Sequence, residues 1–499
     1  MTEQPVVATP PAPSADAYAR SAADVQEPPR TFGGALRHVG PGLILAGAIV
    51  GTGELIATTN LGARAGFTLL WLVIVSCFVK VFVQVELGRY AISSGDTTMM
   101  AFKRLPGPGV AIGALWCVMM FVTQLQLAAM IGGVGYVGHM ALPWVSEALG
   151  RIGGPDSLIA KRPELPWAVL TVLLTIYLLS RGSYRIVEWS VTWLVVLFTL
   201  VTIACVALLP ASGHEIPWDD VGGGFAFQLP AAGIAVALAM FGITGVGAAE
   251  LVAYPYWCIE KGYARKAGPR DDSPAWADRA RGWLRVMRVD AWVACALYTV
   301  STIAFYFLGA AVLNRTHAGG LPNDVAGMTN ALTGMYVPVM GQTGATLFIV
   351  IGVFAVLYST VLASTAGNSR ALVDFLGTNR ALSLDANRGG WGRTGWVKFF
   401  CVFFPIADFF LFYWIKDPVV MVIIGGVTQA LMLPMIGAAA VYLRYRRTDR
   451  RITPGVAWDV FLWVSLAALT LAAFVGGKKV WDDLNKPAAP KPVTTSPAK

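Results

Sequence analysis

An all-α polytopic membrane protein is the fold class this sequence predicts: eleven transmembrane helices, as two inverted five-helix repeats plus a terminal helix, with helices 1 and 6 broken at the midplane. Three observations predict it. The 499-residue chain is 56% hydrophobic and only 13% charged, against about 25% charged in ordinary soluble domains. Its apolar residues gather in eleven runs long enough to span, at about 20 residues each. One eight-residue motif occurs in both the first and the sixth run.

Residues 1–32 lack the apolar stretch of a signal peptide and are expected to form a disordered cytoplasmic tail. The transporter domain is expected over 33–476. Its apolar runs cover 41–63, 67–92, 110–142, 166–180 and 186–210 in the first half (about 41–210). In the second half (about 229–444) they cover 229–260, 286–313, 337–376, 396–414 and 419–444; run eleven is 457–475. The run at 337–376 is too long for one straight span, so its end is expected to protrude. Residues 477–499, rich in Lys and Pro, read as a second disordered tail.

Lys and Arg concentrate in every second connection, most densely at Lys261, Arg265, Lys266, Arg270, Arg279, Arg281, Arg285 and Arg288, and again at Arg444–Arg451. Cytoplasmic loops collect positive charge. The alternation places the N-terminus in the cytoplasm and the C-terminus outside, in what reads as the plasma membrane of a bacterium. The net charge of +9 follows from those loops, and no nucleic-acid module accompanies it. The six cysteines form no metal-type pair spacing, and no nucleophile elbow, Walker loop or H-E-x-x-H is present. No enzyme and no bound cofactor is expected; the oligomeric state is open, and a monomer is allowed.

The repeated motif reads V-G-x-[GA]-E-L-[IV]-A, at Val50–Ala57 and at Val246–Ala253. Five spans separate the copies, so the second enters the membrane from the opposite side, the arithmetic of an inverted repeat. Gly51, Gly53, Gly245 and Gly247 each weaken a helix by about 1 kcal/mol relative to Ala, which predicts unwound stretches lining a cavity. Each copy also carries a glutamate, Glu54 and Glu250. A carboxylate at membrane depth costs about 2.5–3.5 kcal/mol on insertion scales. Either each glutamate is neutral or bonded to freed amides and holds its break together, or the two converge on one site. Two carboxylates with freed carbonyls make an oxygen shell suited to hard divalent ions.

The run from Gly40-Pro41-Gly42-Leu43 to Ala101 resembles the Nramp family of divalent-metal transporters, a divergent branch within the LeuT-type fold. Further likenesses are Leu61–Phe67, Leu70-Trp71, Gln84, Leu87-Gly88-Arg89, Leu357–Thr360 to Gly377, and Thr428–Leu431 to Pro434. The resemblance implies transport of a divalent metal ion by alternating access. Gln429 matches a family glutamine that ligates the ion. The family's D-P-G-N is replaced by Gly51-Thr52-Gly53-Glu54, and its M-P-H-N falls at Ala249, Glu250, Leu251 and Val252. The soft thioether is thus absent, and the family's acidic proton residues fall near Gly132 and Gly135. These departures resemble the Nramp-related branch that carries Mg²⁺. The expected metal ligands are Glu54, Glu250 and Gln429, with backbone groups at Gly51, Thr52 and Gly247; the metal ion is substrate, and the bilayer is the other partner. The string Gly47–Gly53 also looks like the first-helix motif of amino-acid permeases, so an amino acid or amine is the alternative substrate.

Overall fold

The structure is a computed structural model describing residues 18, 20–107, 109–181, 184–229, 233–384 and 391–485. All regular structure among them is helical, and the apolar runs become its long helices. The first run yields α1 (Pro41–Ile49), a π-helix over Val50–Thr58, and α2 (Thr59–Ala65). Then follow α3 (Leu70–Ser94), α4 (Gly109–Ala141), α5 (Leu165–Arg181) and α6 (Tyr184–Leu208). The sixth run yields α7 (Ile234–Ile243) and α8 (Ala248–Glu260). The remainder are α9 (Pro274–Leu308), α10 (Val337–Thr378), α11 (Gly392–Trp414), α12 (Pro418–Arg446) and α13 (Val456–Leu484).

Among the described residues, eight helices are long and apolar enough to cross a membrane. The pair Pro41–Ile49 and Glu54–Ala65, bent by 40°, makes a ninth span if counted as one. Two shorter apolar helices, Leu165–Arg181 and Val195–Leu208, lie where the fourth and fifth runs were expected. The 42-residue α10 measures about 63 Å at 1.5 Å per residue, twice a hydrocarbon core of about 30 Å. It bends near its start at Gly341, whose φ of +68° suits glycine.

Close helix crossings are made by small residues. A Cβ on Gly242 of α7 would lie 2.0 Å from the carbonyl oxygen of Gly426 on α12, so the two backbones touch. The G-P-G-L sequence has a similar reason. Asp290 of α9 accepts hydrogen bonds from the Gly40 and Gly42 amides at 2.8 and 2.6 Å. It thereby satisfies two of the free donors at the start of α1. A side chain at position 42 would collide with that carboxylate, and Pro41 at the first helical position needs no donor.

Two expectations about the termini change. Residues 20–32 were read as part of a disordered tail, yet they lie along the body. The Arg20 guanidinium caps the Ser94 carbonyl at the end of α3, the Gln26 amide donates to Lys266 O at 3.0 Å, and the Trp283 indole donates to Gln26 O at 2.9 Å. The Tyr18 hydroxyl reaches Glu260 at 2.8 Å. Composition misses this because the partners are backbone groups supplied by distant helices. At the other end α13 continues to Leu484, seven residues past the expected boundary at 477. Residues 1–17, 19 and 486–499 lie outside the described residues.

Candidate functional site at the paired glycine-glutamate motifs

The two copies of the motif fold differently. Val50–Thr58 stays wound as a π-helix rather than unwinding. A π-helix bonds i to i+5 and widens the turn, which absorbs the glycines without freeing their carbonyls. In the second copy Thr244–Gly247 leaves helical geometry, and Gly245 has φ +62°. Helix α8 then starts with Gly247 as N-cap and Glu250 in its first turn, where the helix dipole favours a negative charge.

Glu54 is fully buried. Its Oε1 accepts from the Gly245 amide at 3.2 Å and from the Thr302 hydroxyl of α9 at 2.7 Å. Sequence reasoning passed over Lys80 of α3, which is also fully buried. Its ammonium donates to the carbonyls of Phe241 and of Thr244, the latter at 2.6 Å, and sits 5.0 Å from the Phe241 ring centroid. The break is therefore held from both sides: a carboxylate takes the freed amide and an ammonium takes the freed carbonyls. A signal for Lys80 was available, since an ionisable residue inside a span is a functional candidate by default.

Glu250 and Gln429 meet over Gly247. A Cβ on Gly247 would lie 2.4 Å from Glu250 Oε2 and 2.6 Å from Gln429 Oε1. Gln429 Oε1 also accepts from the Ala249 amide at 3.1 Å, and its amide nitrogen donates to Gln126 Oε1 at 3.0 Å. Gln126 in turn donates to Val422 O at 3.1 Å, the interhelical bonding expected of a glutamine in a span. It also fixes which way Gln429 points. Beside Glu250 lies a cavity of about 20 Å³ reached by Ala48, Trp257, Ser364 and Asn368, space for about one water-sized particle.

Of the predicted residues, the structure thus gathers Glu250, Gln429 and Gly247 at one point and places Glu54 at the neighbouring amide of Gly245. Gly51 packs elsewhere: a Cβ there would lie 2.1 Å from Thr360 Oγ1 of α10. The surroundings of the Thr52 side chain lie outside the described residues. Thr360 and Ser359 donate to the carbonyls of Ala48 and Gly47 at 2.8 and 2.9 Å. Glu54 Oε2 and Glu250 Oε2 are buried without a hydrogen-bond partner among the described residues. No cluster of three or more His, Cys, Asp or Glu that could hold a metal ion is formed among the described residues; the Cys77 thiol lies 3.7 Å from the Thr302 hydroxyl that binds Glu54.

Asp374 is fully buried. It accepts from Thr97, from Tyr256 at 2.8 Å and from Arg393 at 2.8 Å. Glu86 and Arg89 form an ion pair at 2.9 Å.

Long apolar helices, two of them losing α geometry around buried carboxylates, define an integral membrane protein. Comparison gives the family. The family described as natural resistance-associated macrophage protein-like, Nramp, matches residues 42–476, and the chain belongs to it. Its members are transporters, not enzymes. A divalent metal cation transporter, MntH, from Granulibacter bethesdensis is 24% identical over 336 residues, covering 66% of this chain and 67% of that one. A manganese transporter from Eremococcus coleocola superposes with TM-score 0.63 at 15% identity, covering 95% and 94% of the two chains. The fold is shared with MhsT in complex with L-phenylalanine, with TM-score 0.55 at 15% identity, covering 91% of this chain and 99% of that one.

Proposed function

We propose that this protein moves a divalent metal ion across the membrane by alternating access, with harder ions such as Mg²⁺ and Mn²⁺ favoured. The observation that carries the reading is the pair of buried, unpartnered carboxylate oxygens, Glu54 Oε2 and Glu250 Oε2, on either side of the Gly245–Gly247 break. Buried polar atoms are normally satisfied, and a cation answers both. Gln429 Oε1 adds a neutral oxygen beside Glu250. Carboxylate and amide oxygens suit hard ions, and the names of the relatives, a divalent metal cation transporter and a manganese transporter, agree with an ion as cargo. Backbone oxygens at Gly247, and at Gly51 and Thr52 when the π-helical turn opens, complete the shell.

Lys80 sets the charge of this site. With both glutamates ionised and Lys80 protonated the site carries one net negative charge, so a divalent ion leaves it singly positive. The small cavity beside Glu250 favours an ion over an amino acid or amine in this conformation. The organic-solute alternative stays measurable, because a structure with L-phenylalanine bound shares the fold.

The test is influx into proteoliposomes holding a metal-sensitive dye, with Mn²⁺, Mg²⁺ and Ca²⁺ added separately. Saturable influx is expected, and Glu54→Gln and Glu250→Gln are each expected to reduce it by more than the roughly 10–100-fold typical of losing an outer-shell partner. Normal influx in both variants would overturn the site assignment. No influx of any ion from folded, inserted protein, with uptake of a labelled amino acid or amine, would overturn the ion as cargo.

A further inference from the structure

We propose that the groove between α9 and the start of α13 binds one anionic phospholipid, its phosphate between Arg285 and Arg288 and an acyl chain along Val289, Trp292 and Val293. The groove encloses about 440 Å³, and Trp458 forms its far wall. Its lining changes character along α9. Arg285 and Arg288 stand at one end; one turn further on the lining is Val289, Trp292, Val293 and Ala296. A guanidinium pair giving way to an apolar strip is the shape of a lipid, headgroup first. Two tryptophans at that level match the aromatic belt of a membrane interface.

The polar end is built for an anion and lacks one. Among the described residues neither arginine has an ion-pair partner within 4 Å, and Glu86 of α3 is already shared by Arg89 at 2.9 Å and Arg444 at 3.8 Å. Arg444 also takes Asp459 at 2.9 Å. Four guanidiniums thus face two carboxylates. Arg285 is exposed and Arg288 half-buried, so the ends of their guanidiniums are open to phosphate oxygens, which arginine recognises through its planar fork. Basic pockets between transmembrane helices hold anionic headgroups in this way. The occupant is a lipid rather than a soluble phosphate because most of the lining is apolar: Val289, Trp292, Val293, Ala296 and Trp458.

The experiment is native mass spectrometry of the full chain released from nanodiscs of phosphatidylcholine with increasing phosphatidylglycerol. Wild-type protein is expected to retain one phosphatidylglycerol in preference to phosphatidylcholine. Arg285→Gln/Arg288→Gln removes both phosphate contacts and is expected to lose that preference for phosphatidylglycerol. Arg279→Gln/Arg281→Gln removes the same charge from the same helix and is expected to retain the lipid. Equal loss in both pairs would mean general charge attraction and overturn the proposal, as would retention in the first pair. Displacement of the lipid by inorganic phosphate alone would show a soluble-anion site and overturn it too. Should Arg285→Gln/Arg288→Gln fail to fold, Arg285→Lys/Arg288→Lys keeps the charge without the fork and is expected to retain lipid more weakly than wild type; unchanged retention would overturn the role of the fork.

Discussion

Lys80 shows how one side chain holds a break that its own helix does not contain. Its ammonium satisfies the carbonyls of Phe241 and Thr244, both buried where water is scarce. Leaving a buried acceptor unsatisfied costs about 1–3 kcal/mol. Lys80→Met is therefore expected to lower the thermal unfolding midpoint in detergent and to abolish transport, while Lys80→Arg, which keeps a donor, retains part of both. A Lys80→Met protein as stable as wild type would mean that the ammonium is not what holds the break. Glu250 and Gln429 carry a complementary lesson. Their meeting point exists because position 247 is glycine; the first carbon of any side chain would occupy the space their oxygens share.

Among the elements, α1 depends on a cap supplied from a helix some 250 residues away. Asp290 ties the Gly40 and Gly42 amides, and also accepts from the Tyr254 hydroxyl at 3.1 Å. One carboxylate thus joins α1, α8 and α9 at the end of the molecule near the basic loops. Asp290→Ala is expected to destabilise by about 1–3 kcal/mol, read as a drop in the unfolding midpoint, with Asp290→Asn intermediate because it keeps one acceptor. The glycine pattern at 51–53 predicted an unwound stretch, and the chain there is wound as a π-helix instead. That the irregularity takes π-helical form was illegible, because the turn is set by Thr360 and Val356 of α10 pressing on Gly51.

At the scale of the molecule, the loop after α12 clamps the loop before α9. Asp449 is bound by Arg270 and Arg451, each at 2.9 Å, and Arg451 also reaches the carbonyl of Asp271 at 2.7 Å. The hydrogen bond from Arg451 comes first in holding the Asp449 carboxyl down to about 2. A depressed carboxyl stabilises the fold above its unfolded value of about 3.9 and loses that contribution as pH falls through its folded value. Acid unfolding followed by circular dichroism is therefore expected to steepen between about pH 4 and pH 2, and Asp449→Asn to remove that step while lowering stability at neutral pH. The strap at residues 20–32 belongs to the same end of the molecule, and its docking shows that a polar, Pro-rich composition does not exclude order where helix ends offer backbone partners.

Sequence alone was enough for the class and for where the long apolar helices lie. Bilayer thickness, hydropathy and charge alternation act on each segment separately, and so can be read one segment at a time. Glu250 and Gln429 were legible as neighbours only through family likeness. Their convergence over Gly247, the clamp made by Glu54 and Lys80, the burial of Asp374 and the arginine groove beside Trp458 are products of tertiary packing. Each depends on which faces of distant helices meet, and a side chain's partners across such a contact leave no periodic trace in the chain that bears it.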